Sequence, residues 1–206
     1  SDFIFLIGSN PRYEATILNA RIRKAYLQNK TNIISLNDVG DLTYPYKSLD
    51  GNTKNIKKIV ENDHEISRLI KEAKKPIIIF GQSALSSKSS KYIFESMKSF
   101  LLNNDKITED WNALNVISEN AATVGSYDLG IYQFSNGSYN TLAGLQNNNY
   151  ELVFLMGQDS LKFKKNNEFI IYIGSHGDQG AEIADIILPG AAYTEQDGYY
   201  TNLEGK

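Results

Sequence analysis

Short apolar runs that end in glycine constrain the fold of this chain most strongly. The first is Phe3–Ile7, five consecutive apolar residues followed by Gly8. A continuous apolar run of this length indicates a strand that is covered on both faces, as the strands of a parallel sheet are. The later strands predicted in this way are Asn32–Leu36, Pro76–Phe80, Glu151–Met156 and Glu168–Ile173, and three of them end at Gly81, Gly157 and Gly174.

Helical patterns alternate with these strands. Pro11 suits the first turn of a helix, and the residues after it form one apolar stripe made by Ala15, Leu18, Ile22 and Tyr26. Further helices are predicted around residues 66–73, ending before Pro76, and over residues 91–102. Strands that alternate with helices predict an α/β fold of parallel sheets flanked by helices.

The remaining segments give weaker patterns. In residues 103–150 we predict a short helix near Trp111–Ile117 and loops around Gly125–Asn149, forming surface that is either flexible or in contact with partners. From Ser175 onward the chain reads as irregular apart from the apolar Ile183–Leu188. Three tyrosines near the end are predicted contact residues in an assembly: Tyr193, Tyr199 and Tyr200.

Composition excludes several classes of function. The 206 residues include no cysteine, so no disulfide, zinc thiolate or cysteine-held iron-sulfur cluster can form in this chain. The two histidines, His64 and His176, lie far apart in sequence, and we predict no metal site. The net charge is −3 with scattered basic residues, which argues against nucleic acid as a partner. No run approaches the roughly 20 apolar residues of a membrane span.

The loop Gly8-Ser9-Asn10-Pro11 is the first candidate for ligand binding. It places flexible backbone and a polar cap at a helix start, where free N–H groups can hold a phosphate. Taken alone, these residues favour simple helix capping over anion binding. In parallel sheets ligand loops gather at the carboxyl ends of strands, so the loops after the four glycine-ended strands are candidates to line one nucleotide-like crevice.

The polar loops later in the chain give little support for a catalytic site. His176-Gly177-Asp178 has the residue types of a general base with an orienting carboxylate, and Asp159-Ser160 those of a partner nucleophile. No Gly-x-Ser-x-Gly nucleophile elbow is present at Ser9, Ser83 or Ser160. We therefore interpret His176 as a hydrogen-bonded loop residue and predict no catalytic residue.

Several longer motifs resemble one family. They are Gly8-Ser-Asn-Pro-Arg-Tyr-Glu-Ala15, Leu18-Asn-Ala-Arg-Ile-Arg-Lys24, His176-Gly-Asp-Gln-Gly180, Ala184–Glu195 and Asn202-Leu-Glu-Gly-Lys206. In this order they resemble the large iron-sulfur subunit of respiratory complex I, which is related to molybdopterin oxidoreductases such as formate dehydrogenase. The resemblance spans essentially the whole chain, and the Leu18–Lys24 motif favours the complex I branch.

The resemblance implies that residues 1–206 are the C-terminal, molybdopterin oxidoreductase-like region of that subunit, without its N-terminal cluster-binding region. It implies no cofactor in this chain, with the iron-sulfur clusters in the missing region or a partner chain. Gly8, Ser9, Asn10 and Pro11 then form a vestigial loop. The implied partners are the cluster-bearing part of the same subunit and other peripheral-arm subunits, on the matrix side of the mitochondrial inner membrane or the cytoplasmic side of a bacterial one.

One loop departs from the family pattern. Where cofactor-binding relatives repeat Gly-x-Asn-Pro, this chain reads Gly157-Gln158-Asp159-Ser160, which puts a carboxylate near a bound pyrophosphate. This favours a structural, non-catalytic part of proton-pumping NADH:ubiquinone oxidoreductase. The alternatives are a fragment of an active molybdopterin-dependent oxidoreductase and a free nucleotide-binding module.

Overall fold

The computed structural model describes residues 1–131, 141–158, 161, 163–177 and 179–206, with the backbone alone at 141 and 142. The chain divides into two compact units, Ser1–Thr123 and Val124–Lys206. Among the described residues, none of the helices is both long and apolar enough to cross a membrane.

The first unit is built on a five-stranded parallel sheet. Its strands are β1 (Phe3–Ile7), β2 (Asn32–Ser35), β3 (Lys47–Ser48), β4 (Pro76–Phe80) and β5 (Leu114–Val116). The order across the sheet is β3-β2-β1-β4-β5, so the chain builds outward from β1 on one side and then crosses to β4 on the other. The helices are α1 (Pro11–Glu14), α2 (Thr16–Asn29), α3 (Lys54–Val60), α4 (Glu65–Glu72), α5 (Gln82–Leu85) and α6 (Ser90–Leu102).

Both faces of this sheet are buried. Phe3, Phe5 and Ile7 of β1 pack into one core, while Ile4 and Leu6 pack into the other. Burying apolar side chains of this size stabilises the fold by roughly 1.5–3 kcal/mol each. The α/β class predicted from the apolar runs is therefore confirmed, and the strand that begins the chain is the centre of the sheet.

The helix predicted after Pro11 is two helices. Pro11 occupies the first turn of α1 as predicted, but Ala15 leaves helical geometry with φ −152° and ψ 73°, and α2 starts at the next residue. Within α2 the apolar stripe buries Ile22, and a polar residue, Asn19, is buried beside it. The break lets α1 close the loop after β1 while α2 packs against the sheet.

The second unit contains a three-stranded parallel sheet. Its strands are β6 (Leu152–Met156), β7 (Phe169–Gly174) and β8 (Ile186–Pro189), in the order β6-β7-β8. The helices of this part of the chain are α7 (Thr123–Asp128), α8 (Thr141–Gln146) and α9 (Gln179–Glu182), and a 3-10 turn follows at Tyr193–Glu195. One face of the sheet packs on a small core around Leu155, Ile170 and Tyr172.

The other face of this second sheet carries apolar side chains alone. Paired residues of parallel strands point to the same side, so the strand register defines the set. We call it the outer face, and its residues are Leu152, Phe154, Met156, Phe169, Ile171, Ile173, Ile186 and Leu188. Six of these side chains are 43% to 72% exposed, and the other two are partly buried.

Two predictions of local structure are wrong. The short helix near Trp111–Ile117 is strand β5, because the Ile78 N–H donates to the Ala113 carbonyl and the Ile117 N–H donates to the Phe80 carbonyl, which extends the sheet. The loops predicted around Gly125–Asn149 are partly helical, in α7 and α8. Residues 132–140 of these predicted loops lie outside the described residues.

Candidate functional site at the carboxyl edge of the first sheet

The chain adds β2 and β3 on one side of β1 and then returns to add β4 on its other side. In sheets of this type, ligands bind at the carboxyl ends of the two strands where the strand order reverses, here β1 and β4. The two strands run in register, with Ile7 opposite Phe80, so the loops that follow them start at the same level. One loop is the predicted Gly8-Ser9-Asn10-Pro11 and the other is Gly81-Gln82-Ser83. This edge is therefore the candidate site.

These two loops are packed directly on each other. Gly8 has φ +59°, and a Cβ built on it would lie 2.5 Å from the Ala84 nitrogen. A Cβ built on Gly81 would overlap the Gly8 carbonyl oxygen and the Ser9 Cα. The Ser83 Oγ also donates a hydrogen bond of 2.7 Å to the Gly8 carbonyl. Glycine is thus required at both positions because the two loops approach too closely for a side chain. We call this contact between the loops after β1 and β4 the closed junction.

The donors of the first loop are bound by a carboxylate of the same chain. The Asn10 N–H donates to Glu14 Oε1 at 2.9 Å, and the buried Ser9 hydroxyl donates to Glu14 Oε2 at 3.1 Å. The Asn10 Oδ1 accepts from the Arg12 N–H at 3.2 Å, so the asparagine caps α1 as predicted. The groups that would meet a phosphate here already hold a negative charge.

A neighbouring loop is tied to the same corner. The Asn10 Nδ2 donates to the Val39 carbonyl at 2.9 Å, and Arg12 bonds Asp41 at 2.7 Å. The Thr43 N–H and then the Arg12 guanidinium hold the pKa of Asp41 below its usual value. Arg12, the cation nearest the loop in sequence, therefore has an anionic partner within the chain, in an ion pair that is exposed to solvent.

Residues 38–46 are further fixed by their own side chains. The Tyr46 hydroxyl donates to Asp38 Oδ1 at 2.7 Å, and the Gly40 N–H and this hydroxyl lower the pKa of Asp38. Deeper in the unit, the Tyr44 hydroxyl donates to the buried Asn19 side chain at 2.8 Å, and burial raises the pKa of Tyr44. These hydrogen bonds join residues 38–46 to one another and to α2.

A cavity of about 340 Å³ opens beside the two loops. Its lining residues are Glu14, Gln82, Ser83, Ser86, Ile117, Ser118 and Glu119. The lining contains two carboxylates and neither lysine nor arginine, so it attracts cations and opposes a pyrophosphate. Across the described residues, no cluster of three or more histidine, aspartate or glutamate side chains could hold a metal ion.

The other predicted positions lie apart from this site. Gly157 and Gly174 end neighbouring strands of the second sheet, so the four glycines divide two and two between the units. Asp159, Ser160 and Asp178 lie outside the described residues. The His176 carbonyl accepts a bond from the Tyr172 hydroxyl, and its Nδ1 lies 2.9 Å from Ser175 Oγ.

Two functional details were missed in the sequence. Glu14 was not recognised as the internal partner of the loop, although an acid in the first turn after a polar cap is the signal for it. His64 was noted only as isolated, whereas its Nδ1 accepts from the Ile66 N–H at 3.2 Å and caps α4.

The chain is similar in sequence to several known proteins. The 75 kDa subunit of NADH-ubiquinone oxidoreductase of Reclinomonas americana is 37% identical over the whole chain, which covers 30% of that protein. The 78 kDa mitochondrial subunit of Neurospora crassa is 36% identical, with 27% of it covered, and the iron-sulfur protein 1 of NADH dehydrogenase of Solanum tuberosum is 33% identical, also with 27% covered. The chain thus spans less than a third of the length of these relatives. The molybdopterin oxidoreductase family model matches residues 1–206, and the chain belongs to that family.

Proposed function

We propose that this chain is a cofactor-free, structural part of the peripheral arm of proton-pumping NADH:ubiquinone oxidoreductase. In this role it packs against the cluster-bearing part of the large subunit and against neighbouring subunits, on the matrix side of the mitochondrial inner membrane. It supports electron transfer from NADH to quinone by clusters held elsewhere. We assign it no catalytic residue.

The observation that carries the proposal is the carboxylate of Glu14. In a cofactor-binding loop of this kind, backbone N–H groups at a helix start face the phosphates of the ligand. Here the Asn10 N–H and the Ser9 hydroxyl both donate to Glu14, which is four residues after Asn10 and five after Ser9. A phosphate would have to displace this carboxylate and then lie beside it.

The packing around the Gly8–Pro11 loop also supports a site without a cofactor. The Gly8 and Gly81 backbones are in contact, and the Ser83 hydroxyl is bound to the Gly8 carbonyl. The adjoining cavity presents Glu14 and Glu119. A pterin pyrophosphate does not fit this set of groups, and a cysteine thiolate for molybdenum is excluded because the chain has no cysteine.

The alternative is a fragment of an active molybdopterin oxidoreductase. Family membership and the cavity of about 340 Å³ at the expected edge of the sheet favour it. It requires a bound pterin and a path for electrons through this chain. The two functions therefore differ in one measurable property, the pterin and molybdenum content of the assembled protein.

The test is purification of the protein through an affinity tag, followed by native gel electrophoresis and mass spectrometry. The proposal expects recovery in a large assembly with other complex I subunits, with no pterin fluorescence after oxidative extraction. A molybdopterin enzyme purified from the same cells is the matched control, because it shows that the cofactor was being made. Recovery without other complex I subunits, or stoichiometric pterin, would refute the proposal.

A further inference from the structure

The outer face of the second sheet has the character of a protein core. The edge strand β6 contributes Leu152, Phe154 and Met156, and β8 contributes Ile186 and Leu188. No position of this face in the described sheet carries a polar or charged side chain. Exposed apolar patches larger than a few hundred Å² mark interaction sites on soluble proteins.

The second unit is also short of buried core. Its central cluster holds three buried residues, Leu155, Ile170 and Tyr172, whereas the two cores of the first unit hold eighteen and eight, all counted among the described residues. Parallel sheets are stable when both faces are covered. Among the described residues, the second sheet therefore packs mainly through its inner face, and most side chains of the outer face stay exposed.

The lack of charged side chains on the outer face indicates what kind of segment covers it. A surface without charge is typical of permanent contacts, since transient interfaces carry polar groups among the apolar ones. Faces of parallel sheets are covered by helices, which disfavours stacking against the same sheet of a second copy. The relatives are more than three times as long as this chain, so a subunit of this family contains ample further chain to supply such helices.

We propose that the outer face is the docking surface for amphipathic helices from the part of the large complex I subunit that this chain does not span. This inference rests on the proposed function. The helices would place apolar residues, spaced three or four apart, over Phe154 and Ile171 at the middle of the face. Their polar sides would face solvent or neighbouring subunits.

The test uses the assembled complex with Phe154 replaced by the photo-crosslinking amino acid p-benzoylphenylalanine. Phe94 is the matched control, because its ring packs edge-on against Phe80 inside the first unit, with 5.4 Å between centroids. After irradiation, position 154 should crosslink to peptides of the large subunit from outside this stretch. Position 94 should crosslink only within residues 1–123.

A second measurement uses the absence of cysteine in the chain. Met156→Cys should react with a maleimide at least ten-fold more slowly in the intact complex than after unfolding in denaturant. Crosslinks from position 154 to a second copy or to a different subunit would overturn the inference, as would fast labelling at position 156 in the intact complex. If the protein is not recovered with complex I at all, the proposed function itself fails, and the two failures are thereby distinguished.

Discussion

Gly81→Ala tests whether the junction between β1 and β4 is closed. Gly81 has φ −98° and ψ 172°, so alanine adopts the backbone conformation without strain, and the whole cost is steric. Its Cβ would overlap the Gly8 carbonyl and the Ser9 Cα, which are backbone atoms held at the end of the central strand. Inserting a carbon into a packed region costs about 1–3 kcal/mol, and contact with backbone places this substitution near 3 kcal/mol.

Urea unfolding measures this cost in the first unit alone. The single tryptophan, Trp111, lies in that unit, where its Nε1 donates to the Pro76 carbonyl at 2.9 Å. With a urea dependence of roughly 2 kcal/mol per M, Gly81→Ala should lower the fluorescence midpoint by about 1.5 M. The unsubstituted protein is the reference, because it has the same tryptophan and lacks only the added Cβ. Equal midpoints for Gly81→Ala and the unsubstituted protein would show that the two loops leave room for a side chain and would refute the closed junction.

Three further predictions use the same fluorescence assay. Glu14→Ala should lower the free energy of unfolding by about 1–2 kcal/mol, because the Ser9 hydroxyl and the Asn10 N–H lose their acceptor. Glu14→Gln should lower it by less, since the amide oxygen can still accept. An unchanged free energy of unfolding in both variants would contradict the internal pairing. Ser35→Ala should leave the free energy of unfolding unchanged or raise it by up to about 1 kcal/mol, since the buried Ser35 hydroxyl has no hydrogen-bond partner among the described residues. A clear loss of stability would instead reveal a partner. The Thr43 N–H and Arg12 lower the pKa of Asp41 in the folded state, so its contribution to stability is present above the usual value of 3.8 and is lost as pH falls through the folded value. Asp41→Asn should therefore flatten the decline in urea midpoint below about pH 4, and an unchanged decline would argue against this pairing.

The sheets were predictable because their strands are locally unambiguous. The apolar side chains of Phe3–Ile7 point alternately to the two faces of the sheet, so they are all buried only if both faces are covered. The structure buries all five residues. Strand β5 was not predictable in the same way, since Leu114 and Val116 become a strand by pairing with β4, which is distant in sequence. The two-residue β3 depends equally on its neighbour, β2.

The candidate site was only half predictable. The residues Gly8 to Pro11 stand out by their types, and their role in capping follows from the position of Asn10. The close contact with Gly81 and the pairing with Glu14 depend on the register of β1 and β4 and on the helix break at Ala15. These are tertiary features, and they decide whether the loop can meet a phosphate.

We propose that this region has a structural role in this chain. The molybdenum and pterin content of purified complex I that contains this chain, measured by elemental analysis and by fluorescence after oxidative extraction, tests that role. We expect an assembly that contains the chain with neither molybdenum nor pterin. One molybdenum and a stoichiometric amount of pterin per chain would contradict it.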